Sequence, residues 1–113
     1  MSKRDWKILF EDMLESIDKI FGYAEGFQFD DFSTNSLVID AVVRNIEIIG
    51  EVSKNVPNEL KLKTNEIPWH KLAGIRNRIV HEYFGVDVSI IWFIIEKELP
   101  LLKQQLSKVL MEN

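Results

Sequence analysis

SLVIDAVVRNIEIIGEVSKN, residues 36–55, decides the fold. Its apolar residues Val38, Ile39, Val42, Val43, Ile46, Ile48, Ile49 and Val52 recur at helical spacing and cover a broad arc. What remains is a narrow polar stripe of Asp40, Arg44, Glu47 and Glu51, at i, i+4, i+7 and i+11. A helix apolar over most of its circumference must be buried by more than one neighbour. The segments on either side therefore have to supply helices that pack against it.

Upstream, Trp6, Leu9, Phe10, Met13, Ile17, Ile20, Phe21 and Ala24 share one stripe and predict an amphipathic helix over residues 3–24, ended by Gly26. The connection GFQFDDFSTN carries Phe27, Phe29 and Phe32, read as core plugs. Downstream, Pro57 suits the first turn of a short helix, PNELKLKT, and a further helix opens at Pro68, runs over residues 68–83 and is closed by Gly85. The last helix begins near Asp87, with Ile91, Trp92, Ile95, Leu99, Leu102, Leu106 and Val109 on one stripe and Ile90, Phe93, Ile94 and Leu101 on another face. Pro100 interrupts it and should kink or break it, because proline removes a donor and clashes with the preceding turn.

No repeat, low-complexity tract, long linker or convincing strand pattern is visible. The expectation is an all-α antiparallel bundle of about five helices, a single domain over residues 1–113. Two apolar faces on two helices exceed what a monomer of this size needs, which predicts a homodimer with two-fold symmetry.

Composition narrows the chemistry. The chain has no cysteine, which excludes thiol catalysis, disulfides and thiolate metal sites and fits a reducing compartment. Its N-terminus, MSKRDWKILFEDML, places Asp5, Glu11 and Asp12 among the apolar residues and does not read as a signal peptide. The longest apolar run, residues 90–95, is too short to span a bilayer, so the expectation is a cytoplasmic protein without a membrane partner. A net charge of -4 argues against a general nucleic-acid coating protein. The one sustained basic segment holds Lys61, Lys63, Lys71, Arg76 and Arg78 against Glu66, with His70 in addition.

That segment overlaps RNRIVHEYFG, residues 76–85. On a continuous helix, Leu72, Ile75, Ile79, Val80 and Tyr83 form an apolar face with Arg76 in its middle, while Gly74, Asn77, Arg78 and His81 lie opposite. An arginine there needs a partner for its charge: either an ion pair with Glu47 or Glu51, or a phosphate matched to its planar set of donors. His81 titrates near neutrality and could move a proton, or could be a packing residue. Asn77, one turn earlier, could orient the imidazole or bind phosphate. Tyr83 is by default a packed aromatic with its hydroxyl at the rim. Arg76 and His81 would stand about 140° apart on an ideal helix, so convergence requires a distorted helix end, a long arginine reach or a second subunit. His70 and His81, the only histidines, lack helically spaced carboxylates, so neither a metal nor another cofactor is expected.

Arg76-Asn77-x-x-x-His81-x-Tyr83 matches the R-x4-H-x-Y motif of the HepT-like toxins, a branch of the HEPN superfamily. IPWHKLAGIRNRIVHEYFGVD, DAVVRNIEIIGEVSK and IIWFIIEKELPLL resemble that family in order and spacing, over nearly the whole chain. The resemblance implies a small helical bundle that dimerises and joins two R-x4-H motifs into one cleft acting as a metal-independent ribonuclease. His81 would then handle the proton of the attacking 2′-hydroxyl or of the leaving oxygen, Arg76 would stabilise charge on the phosphate, and Asn77 would help place it. It also implies a type VII toxin–antitoxin system, in which a MntA-like nucleotidyltransferase forms a hetero-oligomer with the toxin and transfers AMP to the motif tyrosine, here Tyr83. Arg78 and Lys71 would contact RNA or the modified tyrosine. The alternative is a non-catalytic nucleotide-binding or docking partner of such a nucleotidyltransferase, using the same residues to hold phosphate without cleavage.

Overall fold

The structure is a computed structural model, and it describes residues 5–81 and 85–113. Two helices of equal length form its centre: α1, Trp6–Ala24, and α3, Ser36–Lys54. Asp5 caps α1 by accepting from the Lys7 amide at 2.8 Å, and Asn35 caps α3 by accepting from the Val38 amide at 3.0 Å. Each cap satisfies an amide that the first helical turn leaves without an internal partner. Gly26, at φ +80°, adopts the left-handed conformation just after α1.

The long α3 is buried as its pattern requires. α1 packs along it, the segments Trp69–Ala73 and Ile75–Ile79 pack beside its C-terminal half, and the short α2, Phe29–Ser33, packs at its start. Phe10, Met13, Ile17 and Ile20 of α1 and Val42, Ile46 and Ile49 of α3 are fully buried. Of the aromatics in the first connection, Phe32 is buried with its ring 5.0 Å from that of Trp92, Phe27 is partly buried, and Phe29 is exposed.

α4, Asn58–Lys63, is the short helix expected after Pro57, with Pro57 itself as its cap. The element expected over residues 68–83 is not one helix. It divides at Gly74 into α5, Trp69–Ala73, and α6, Ile75–Ile79, and then leaves helical geometry altogether. Val80–His81 forms β1, which pairs antiparallel with β2, Gly85–Val86. Gly85, at φ +82°, holds the left-handed position that glycine adopts without penalty. The Asp87 amide closes the unit by donating to the Ile79 carbonyl at 2.6 Å.

The final helical run comprises α7, Val88–Phe93, a π-helical turn over Ile94–Glu98, and α8, Leu99–Glu112. The Asp87 carboxylate caps it, accepting from the Ser89 and Ile90 amides. Pro100 therefore does not end the helix. It sits in the first turn of α8, immediately after the wider turn in which the Leu99 amide donates to the Ile94 carbonyl, so its missing donor falls where helical bonding is already rearranged. Ile91, Leu99, Leu102, Leu106 and Val109 join the core as predicted, while Phe93 and Leu101 remain exposed. The architecture is an all-α bundle with one small strand pairing among the described residues. No described helix is long and apolar enough to cross a membrane.

Candidate active site

The segment that carries the motif lies against the C-terminal half of α3. Gly50 makes this approach possible: a Cβ at that position would stand 3.0 Å from Cγ2 of Ile75 and 3.2 Å from the Leu72 carbonyl oxygen. Any side chain there would push the α5–α6 junction away. The Asn77 and Arg78 amides both donate to the Gly74 carbonyl, so a new helix starts at the break instead of α5 continuing.

The break changes which residues point inward. α6 buries Ile75 and Ile79, one turn apart, at 1% and 0% exposure, and Arg76 turns to solvent with its side chain 67% exposed. The expectation of Arg76 in the middle of an apolar stripe is thus corrected: the 100° projection assumed a helix that does not exist beyond Ile79. Val80, assigned to the same apolar face, is likewise exposed. Arg76 does have a carboxylate partner on the polar stripe of α3. Its Nε lies 3.3 Å from Glu47 Oε2, whereas Glu51 pairs with Lys54 at 3.2 Å. These four charged residues and Asn77 line a cavity of about 160 Å³ between α3 and the α5–α6 junction. With two acids against two bases, the cavity has little net charge, so an entering phosphate must compete with Glu47 for Arg76.

His81 follows two residues after α6 ends, on β1, with its backbone paired to Gly85. The angular conflict between Arg76 and His81 on one ideal helix no longer applies, because the two residues occupy different elements. The imidazole of His81 and the whole of Tyr83 lie outside the described residues.

Arg78 and Lys71, expected to face RNA, share a carboxylate. The Arg78 guanidinium donates through both Nη atoms to Glu98, at 2.8 and 2.7 Å, and Lys71 Nζ lies 3.8 Å from Oε2 of the same residue. This two-pronged bond holds the Glu98 carboxyl below its ordinary range and raises the Arg78 guanidinium above its own. Glu98 was not visible as a partner in the sequence. It lies 20 residues from Arg78, and no periodic relation links the two. Gly50 escaped notice for a similar reason, since a glycine at the end of an apolar arc gives no sign of what approaches it.

His70 is exposed on α5, and the indole of neighbouring Trp69 donates to the Thr64 hydroxyl at 3.2 Å.

Comparison with known proteins places the chain in a family. The family model described as "Ribonuclease HepT-like" matches residues 13–109. A protein of Thermococcus cleftensis named "Probable ribonuclease HepT" is 40% identical over 107 residues, covering 95% of this chain and 97% of its own length. "Putative RNase MJ1380" of Methanocaldococcus jannaschii is 35% identical over 109 residues, covering 96% of this chain and 100% of its own length. From the same organism, "Gamma-glutamylcyclotransferase and putative RNase MJ0434" is 42% identical over 110 residues, 97% of this chain, which spans only 50% of that longer protein. No solved structure gives a significant match. With the family model covering the core helices, the α5–α6 junction and the R-x4-H segment together, this chain belongs to the HepT-like ribonuclease family.

Proposed function

We propose that this protein is a metal-independent endoribonuclease, the toxin of a type VII toxin–antitoxin pair acting in the cytoplasm. The observation that carries the reading is the placement of Arg76 and Asn77 at a cavity edge, with His81 just beyond the end of the same short helix.

The chemistry follows from those groups. The ribose 2′-hydroxyl attacks the adjacent phosphorus and the bond to the 5′-oxygen breaks, leaving a 2′,3′-cyclic phosphate and a free 5′-hydroxyl. The nucleophile belongs to the substrate, so no metal is needed to generate it. His81 takes the 2′-hydroxyl proton or supplies one to the departing 5′-oxygen. Arg76 meets the charge that develops on the phosphate oxygens, with its exposed donors reaching the ligand once Glu47 yields. Asn77 helps place the phosphate, and Lys71, half exposed, adds positive potential beside the junction. A 2′-hydroxyl requirement makes RNA the substrate.

The site is shared by two copies of the chain. Phe93 and Leu101, 53% and 55% exposed on the final helical run, supply apolar surface for a two-fold dimer. Regulation falls on Tyr83, two residues after His81. Its phenol oxygen takes the adenylyl group of ATP, pyrophosphate leaves, and the partner nucleotidyltransferase catalyses the step. The added nucleotide blocks the cleft by bulk and by negative charge.

The test is intact mass and activity of the protein purified with and without a co-expressed nucleotidyltransferase. One added AMP on Tyr83, with cleavage by the unmodified form alone, supports the reading. Tight RNA binding without cleavage by the unmodified dimer replaces it with a docking module.

A further inference from the structure

We propose that Glu98 is a positioning residue for the active site, fixing the angle at the α5–α6 junction so that Arg76 and Asn77 face the α3 cavity. The proposal rests on the ribonuclease reading above and adds a residue from a distant part of the chain.

Three observations carry it. First, α6 is five residues long, far too short to hold its own geometry, so its orientation comes from what it packs against. Ile75 and Ile79 anchor it in the core against α3 and α7, but two buried side chains on one face of so short a helix leave its rotation open to a further polar restraint. Second, beside the exposed Arg76–Glu47 pair and the Asp87 amide on the Ile79 carbonyl, the two-pronged polar restraint on that rotation is the bond from Arg78 to Glu98. Both guanidinium Nη atoms are engaged, at 2.8 and 2.7 Å, a geometry that sets direction as well as distance. Arg78 lies on the chain directly between Asn77 and the His81 strand, so any roll of Arg78 moves both. Third, the same carboxylate reaches across the Gly74 break, because Lys71 on α5 approaches Oε2 at 3.8 Å. One side chain thus links both sides of the hinge to a third element.

That third element is the π-helical turn, and Glu98 is its last residue. Its carboxyl lies below the ordinary range, so it stays ionised throughout the neutral range. Among the described ion pairs, this is the one in which both side chains are partly buried, at 28% and 21% exposure; in each of the others at least one side chain is largely solvent-facing.

The experiment compares the full-length protein with Glu98→Gln and Arg78→Lys on a defined single-stranded RNA, measuring kcat, KM and thermal midpoint together. Glu98→Gln removes the charge and keeps the shape. Arg78→Lys keeps the charge and loses the planar pair of donors. Both variants are expected to lower kcat roughly tenfold or more, with KM within about twofold, since misplacing reacting groups penalises the chemical step more than binding. The comparison is made at temperatures where all three proteins are fully folded. Unchanged kcat in either variant, or a loss accounted for by the unfolded fraction alone, overturns the proposal. If Glu98→Gln does not fold, Arg78→Lys and Glu98→Asp decide it, with reduced kcat in the folded protein supporting positioning and wild-type kcat overturning it. Failure of the wild-type protein to cleave overturns the ribonuclease reading, and this proposal with it. Cleavage by the wild type with identical kinetics in the variants overturns this proposal alone.

Discussion

The α1–α3 pair and the α5–α6–β1 segment hold their shapes in different ways. The first consists of two 19-residue helices with capped N-termini and a continuous row of buried aliphatic side chains. The second consists of two five-residue helices and a two-residue strand, none with a side-chain cap, placed by a close backbone approach at Gly50 and a carboxylate clamp at Glu98. Long helices draw on local propensity, side-chain burial and packing together, whereas elements this short exist only because their surroundings specify them. The lesson is that the motif residues sit on the part of the molecule whose geometry is most dependent on contacts elsewhere, and so is most easily altered without unfolding the whole.

That contrast is breakable by mutation. The largest loss is expected in the scaffold: Ile46→Ala leaves a void in a fully buried site and should cost about 2–5 kcal/mol, read as a drop in denaturation midpoint, with activity lost only as the protein unfolds. Gly50→Ala should cost about 1–3 kcal/mol, because the new methyl group meets a backbone carbonyl that cannot yield without moving the junction. Unlike Ile46→Ala, it should also depress kcat in the fraction that remains folded. Asp87→Ala removes the cap of α7 and should cost about 1 kcal/mol by the same denaturation measurement.

Arg76→Ala should change stability least, by about 1 kcal/mol or less, because its pair with Glu47 is solvent-exposed. RNA cleavage by that variant should nevertheless fall about a hundredfold or more, as loss of one group that stabilises transition-state charge commonly does. A stability loss as large as that of Ile46→Ala would erase the distinction between scaffold and site.

Acid offers a final, smaller test. The folded carboxyl of Glu98 is depressed, so its contribution to stability is complete above the ordinary carboxylate value of 4.5 and is lost as pH falls through the lower folded value. The difference in midpoint between wild type and Glu98→Gln should be constant from pH 6 to pH 8 and shrink below about pH 4.

How far the sequence could be read follows the same division. Helix α3 and the end of α1 were legible almost to the residue, because a 3.6-residue period over five turns is a strong signal and Gly26 marks where α1 stops, whereas the start of α1, expected at residue 3, falls at Trp6 behind the Asp5 cap. Asp87 likewise announced the start of the last run. The segment after Pro68 was misjudged as one helix, since its apolar residues keep helical spacing across a break that tertiary packing imposes at Gly74. Arg76 was placed on the wrong side for that reason, although Glu47 was correctly among its candidate partners. The motif itself was visible as a cluster of polar residues in an aliphatic stretch. Its support was not, because Glu98 belongs to another helix and Gly50 to a pattern that looked complete without it.

The most direct measurement incubates freshly purified, unmodified protein with a defined RNA in excess EDTA, beside Arg76→Ala and His81→Ala, and identifies the product ends. The account predicts cleavage by the wild type alone, with 2′,3′-cyclic phosphate and 5′-hydroxyl termini. Cleavage that persists in His81→Ala, or that disappears when EDTA is added, would contradict it.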